Sequence, residues 1–164
     1  MTPTPTGKLH GTPDRPELHL TRTFRASLAD VWASITESER TARWLASWSG
    51  AAAPGATVRM RLEHEEGRPE SDLTILACEP PRRLEVLTAD EFGRWHLEAR
   101  LSEDDGVTTL VLVHHLEPGS EDPSVGAGWE YYLDLLVASR EGTARPEFGD
   151  YWPAMREYYT SLSL

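Results

Sequence analysis

The cleanest pattern in the chain runs from Arg94 to Leu101. Trp95, Leu97, Ala99 and Leu101 alternate there with Arg94, His96, Glu98 and Arg100. A period of two predicts a strand with one apolar and one polar face. The same period, less regular, recurs on both sides. Leu18, Leu20 and Phe24 alternate with His19, Thr21 and Thr23, predicting a first strand over 17–24. Val58, Met60 and Leu62 alternate with Arg59 and Arg61. Leu73, Ile75 and Ala77 form one predicted face, with Thr74, Leu76 and Cys78 on the other. Leu84 to Ala89 is the next strand, and Val107 to Leu116, apolar on both faces, reads as a doubly covered last strand.

The connections fit this reading. Glu65-Glu66-Gly67-Arg68-Pro69, Asp90-Glu91-Phe92-Gly93 and Asp104-Asp105-Gly106 are turn sequences, and Pro80-Pro81 must break a ladder because neither residue donates an N–H. Helical spacing appears in three places. Ser27 caps a segment with Leu28, Val31, Trp32 and Ile35 at helical intervals, and Ser38 caps a second through Ala42, Trp44 and Leu45. After a polar linker from Pro118 to Gly128, the period of Trp129, Tyr132, Leu133, Leu136 and Val137 predicts the main helix, stopped at Gly142. Tyr151, Trp152, Met155, Tyr158 and Tyr159 form an aromatic stripe on a last short helix, which Pro153 could start.

The pattern therefore predicts an α+β fold. A curved antiparallel six-stranded sheet wraps a long C-terminal helix, with two short helices between strands one and two and an extra C-terminal helix. Residues 1–16, rich in Pro, Thr and Gly, are expected as a flexible tail. Residues 17–142 form the domain, and 143–164 a helical extension packed on it.

Composition narrows the function classes. A length of 164 residues fits one domain with a proper core. The formal charge of −11 argues against nucleic acid and against anionic membranes. No apolar run approaches a membrane span, and the start of the chain lacks a signal-peptide pattern, so a cytoplasmic location is expected. The single cysteine, Cys78, is expected as a buried inert thiol. Lys8 is the one lysine among many arginines, which, with abundant Ala, Gly and Pro, suggests a high-GC bacterial genome.

Several segments together resemble a known family. These are Phe24 to Ile35, Ala42-Arg43-Trp44-Leu45, Pro54-Gly55, Glu79 to Leu84, Thr109 to His114, and Gly128-Trp129 with Leu133. Their order over roughly 17–142 is similar to the START-like helix-grip (SRPBCC) superfamily, within it the activator of Hsp90 ATPase homologue-like group. The stretch Glu85-Val86-Leu87-Thr88 departs by lacking a tryptophan that such proteins often carry, and the tail from Arg145 extends past their usual end. The resemblance implies an apolar cavity between helix and sheet.

A small hydrophobic or aromatic ligand is the expected partner, touching Trp44, Trp95, Leu97, Leu112, His114, Trp129, Leu133 and Leu136. Packing of the same residues as ordinary core is the competing reading. An aromatase/cyclase-type enzyme is the alternative function, with His114 as its acid or base. A co-chaperone-like or antitoxin-like interaction module is the third, and the terminal stripe could serve a homodimer. No catalytic residue, cofactor or metal site is expected. There is no His-Glu-x-x-His motif, His96 turns away from Trp95, and adjacent His114 and His115 face opposite sides. Glu98 and Glu130 are expected on exposed faces.

Overall fold

The structure, a computed structural model, describes residues 3–91, 93–119 and 122–164. Phe92 of the expected turn, positions 120 and 121 of the linker, and Met1 and Thr2 lie outside these. Eight strands form one antiparallel sheet: β1 (Lys8–Thr12), β2 (Arg15–Phe24), β3 (Ala46–Ser49), β4 (Thr57–Leu62), β5 (Glu70–Glu79), β6 (Arg83–Asp90), β7 (Gly93–Asp104) and β8 (Val107–His115). Their spatial order is β1-β2-β8-β7-β6-β5-β4-β3. The helices are α1 (Leu28–Thr36), α2 (Ser38–Thr41), α3 (Pro123–Glu141) and α4 (Arg156–Ser161). The α+β class and the long C-terminal helix agree with expectation, but the sheet has eight strands rather than six.

The two additional strands escape the hydrophobic pattern for different reasons. Lys8–Thr12, inside the stretch expected as a tail, pairs with β2, yet its side chains are mostly exposed. The backbone ladder holds this edge strand, and it leaves little hydrophobic period to read. Ala46–Ser49 pairs with β4 one turn after a helix that ends at Thr41, earlier than expected.

Other differences are local. Helix α3 starts at Pro123 rather than at Trp129. Asp122 caps it, with its carboxylate accepting from the Ser124 N–H at 2.9 Å, and Pro123 occupies the first turn, where no N–H is needed. Gly142 closes it in the left-handed conformation, as expected. In β5 the register slips between Ile75 and Ala77, so Leu76 is an extra residue and is 42% exposed. Beyond this bulge the faces exchange. Cys78 pairs with Leu84 and joins the face of Ile75, opposite to the expected side, and it is half-buried rather than buried.

The core lies where α3 crosses β2, β8 and the end of β7. Leu18, Leu20, Phe24, Leu101, Leu110, Leu133 and Leu136 pack there, with Val31 of α1. One inward position of β2 is charged. Arg22 sits between Leu20 and Phe24, and its Nε donates to Asp134 at 3.0 Å and its Nη2 to Glu130 at 3.1 Å. Glu130 has no exposed surface, which corrects the expectation of an exposed face. Thr6 donates to the same carboxylate through both its hydroxyl and its backbone N–H.

The C-terminal stripe is consumed within the chain. Tyr151, Met155 and Tyr159 are buried in the core, and Tyr159 lies against Gly126 so closely that a Cβ there would fall 2.2 Å from the ring. The stripe is thus engaged without a second chain.

Arg22→Leu leaves Glu130 and Asp134 without their counter-charge and should cost about 3–5 kcal/mol in urea unfolding. Gly126→Ala should cost about 1–3 kcal/mol by forcing Tyr159 outward. Gly128→Ala, where nothing stands within 4 Å of a new Cβ, should instead stabilise by up to about 1 kcal/mol.

Candidate functional site

The ladder registers define the sheet face toward α3. Leu18, His114, Leu97 and Val86 form one row across β2, β8, β7 and β6, and Leu20, Leu112, Ala99 and Leu84 form the next. Trp95 stands one row beyond, opposite Thr88. Trp95, Leu97, Leu112 and His114 therefore share the inner face, as alternation predicts.

Coverage of this face is uneven. Leu20, Leu110 and Leu136 are almost fully buried. Trp95, Leu97, Leu84 and Val86 are half-exposed although they point to the same side, and they lie outside the contiguous core. Leu112 and Trp129 are also half-exposed, at the margin of that core. The face is packed under α3 on β2 and β8, and thinly covered toward β6 and the start of β7.

Three predicted residues meet at that transition. The His114 ring stacks on Trp95 with centroids 5.4 Å apart, and Trp129 stands edge-on to both, at 6.0 and 6.3 Å. The Trp129 indole N–H donates to His114 Nδ1 at 3.1 Å. Helix α3 brings Trp129 here, and the next turn places Tyr132, whose hydroxyl donates to Glu65 of the β4–β5 connection at 3.1 Å. The sequence places Tyr132 on the main helix and Glu65 in a turn, but neither the residue type nor the period marks a contact between a helix and a distant hairpin.

The remaining predicted residues are core. Leu133 and Leu136 are buried at 2% and 0%. Trp44 is buried among the helices and donates its indole N–H to the Ser34 carbonyl at 2.9 Å. These three belong to the packed end of the interface rather than to its thinly covered part.

The polar groups at the transition are unusual. Burial, reinforced by the nearby His115 and His96, lowers the His114 pKa to about 4, so the ring is neutral at physiological pH. Its Nδ1 accepts from Trp129, which places the ring proton on Nε2. No acceptor for that proton stands among the described residues. The Trp95 indole N–H is buried and has no partner among the described residues.

The outer face of the same strands is charged. Glu98, expected to be exposed, has a side chain only 5% exposed and accepts from Arg83 at 2.8 Å, Arg100 at 3.0 Å and His115 at 3.0 Å. Burial would raise its pKa, but these hydrogen bonds prevail and hold it down to about 2. Ligand-type atoms of Glu85, His96 and His115 lie within 4.8 Å of one another on this face. No described helix is long and apolar enough to cross a membrane.

The His114 environment predicts a pH dependence. Its folded pKa lies below the usual 6.5, so the unfolded chain binds the proton more readily. This contribution to stability is complete above about pH 6.5 and is lost as pH falls through about 4. An NMR titration should place the ring near pH 4. His114→Gln should flatten that part of the stability profile, by about 3 kcal/mol at most. A ring midpoint near 6.5 would show instead that His114 is solvated.

Comparisons with known proteins agree with this architecture. CalU16 from Micromonospora echinospora, in its crystal structure, is 27% identical, with 97% of this chain and 96% of that chain covered and a TM-score of 0.76. The protein encoded by gene BPP1335 from Bordetella parapertussis is 26% identical over 98% of this chain and 92% of that chain, with a TM-score of 0.72. DynU16, described as a protein in the dynemicin biosynthetic locus, is 22% identical over 80% of this chain and 50% of that chain, with a TM-score of 0.67, and shows the fold alone. No curated protein matches the chain by sequence. The family model for Activator of Hsp90 ATPase homolog 1-like protein matches residues 25–140, and the chain belongs to that family, within the START-like helix-grip fold.

Proposed function

We propose that this protein binds a small, largely apolar or aromatic molecule between α3 and the inner face of β6, β7 and β8. The observation that carries this reading is the buried Trp95 Nε1–H, which has no partner among the described residues, beside the His114 ring on a half-exposed apolar wall. A filled core would bury the wall, and it would not strand a buried indole N–H, whose desolvation costs about 1–3 kcal/mol without an acceptor. The ligand supplies that acceptor, such as a carbonyl oxygen, and its rings lie against Trp95, Leu97, Leu112 and Trp129. Tyr132 and Glu65 bound the thinly covered side. Family and fold fit ligand binding.

The test is titration with neutral polycyclic aromatics, with and without a carbonyl, followed by tryptophan fluorescence and native mass spectrometry. Carbonyl-bearing compounds should bind more tightly. Trp95→Phe should keep binding of the plain hydrocarbon and lose roughly tenfold for the carbonyl compound, the worth of about one hydrogen bond. Equal losses for both classes would mean that the indole N–H is not the contact. Absence of binding by either class would remove the ligand reading.

A further inference from the structure

Alternation places His96 and His115 on the outer face of the sheet, away from the proposed ligand. What alternation does not reveal is their register. His96 of β7 is the direct cross-strand partner of His115 of β8, and the two rings lie tilted by 31° with centroids 4.3 Å apart. Glu85 of β6 is the third member, since its Oε2 meets His96 Nε2 at 2.5 Å. We propose that Glu85, His96 and His115 form a binding site for one zinc-type divalent cation, independent of the inner face.

The donor set suits such an ion. Two imidazoles and one carboxylate are ligands zinc takes readily, with bonds of about 2.0–2.1 Å and a fourth position left for water. Tetrahedral bonds of that length set donors roughly 3.3 Å apart. The three donor atoms already lie within 4.8 Å of one another, and all three side chains are only half-buried, so modest rotations close the site.

The surroundings supply the outer support that metal-bound histidines need. His115 has a carboxylate at each ring nitrogen, Glu98 at 3.0 Å from Nε2 and Glu17 at 3.7 Å from Nδ1. Whichever nitrogen binds the ion, the other is oriented by an acid. Glu98 is itself fixed by Arg83 and Arg100, and Arg83 also holds the second oxygen of Glu85. Two arginines against Glu17, Glu85 and Glu98 leave the patch with an excess of negative charge, which favours a cation.

Calorimetric titration of the untagged full-length chain with zinc chloride near neutral pH tests the site. One equivalent should bind, and cobalt(II) should give the visible absorption of a four-coordinate ion. His96→Ala and His115→Ala should each abolish the one-equivalent phase. Glu85→Gln should weaken it, and Glu98→Gln should weaken it by about 10–100-fold through His115. His10→Ala, in the adjacent stacked pair His10–His19, should leave it unchanged. Circular dichroism checks that each variant is folded, and Glu85→Gln carries the test if a histidine variant is not. The proposal is overturned if the native chain shows no one-equivalent phase, or if that phase survives in His96→Ala and His115→Ala, or moves to His10.

Discussion

A charged side chain pointing into the core organises this fold. Arg22 faces α3 from the inner side of β2, where its neighbours are leucines and a phenylalanine. A guanidinium cannot be left there without partners, because an unpaired buried charge costs several kcal/mol. Its partners come from α3, and their positions fix the helix. Glu130 and Asp134 lie one turn apart, so the fork of Arg22 sets both the rotation of α3 and its height above the sheet. Glu130 in turn collects Thr6 from the N-terminal segment, and Asp134 collects the Tyr151 hydroxyl at 2.7 Å from the C-terminal one. Four stretches of chain, far apart in sequence, converge on three side chains.

The placement of Trp129 depends on that arrangement. It precedes Glu130 by one residue, so a helix locked through Glu130 presents its indole to His114 and Trp95. The packed and the thinly covered parts of the inner face follow from the same lock. Over β2 and β8 the helix is held close and leucines fill the interface. Toward β6 the helix has no comparable anchor on the sheet floor among the described residues, and the wall stays half-exposed. The chain reaches across instead through Tyr132 and Glu65. The rigid part and the part suited to binding are two ends of one interface.

How much of this was legible depended on what holds each residue. Trp95, Leu97, Leu112 and His114 were placed correctly because β7 and β8 are regular, and alternation is a local property. Gly142 was legible because a left-handed helix end favours glycine. The burial of Glu98 and Glu130 was not legible, since a carboxylate is buried only if distant cations meet it. Arg83, Arg100 and Arg22 become neighbours only after the sheet and helix assemble. Strand β1 was hidden because backbone pairing, not burial, sustains it. The start of α3 was obscured because Pro123 and Asp122 resemble loop residues until they are seen as first-turn and capping positions. The apposition of His96 and His115 escaped for another reason: alternation gives the face of each residue, whereas register gives its neighbour.

The bulge at Leu76 bears on how such a chain can change. A strand is read in pairs of residues, like a two-letter code, and Leu76 is a single letter inserted into it. Residues before it are read in one frame and residues after it in the other. Loss of one residue elsewhere in β5 would turn part of the strand inside out, sending Ile75 toward solvent or Glu79 toward the helix. At Leu76 the slack is already present and its side chain is already in water. Length variation of one residue is therefore absorbed most cheaply there: without Leu76 the residues Ile75, Ala77 and Cys78 keep their partners and their sides of the sheet.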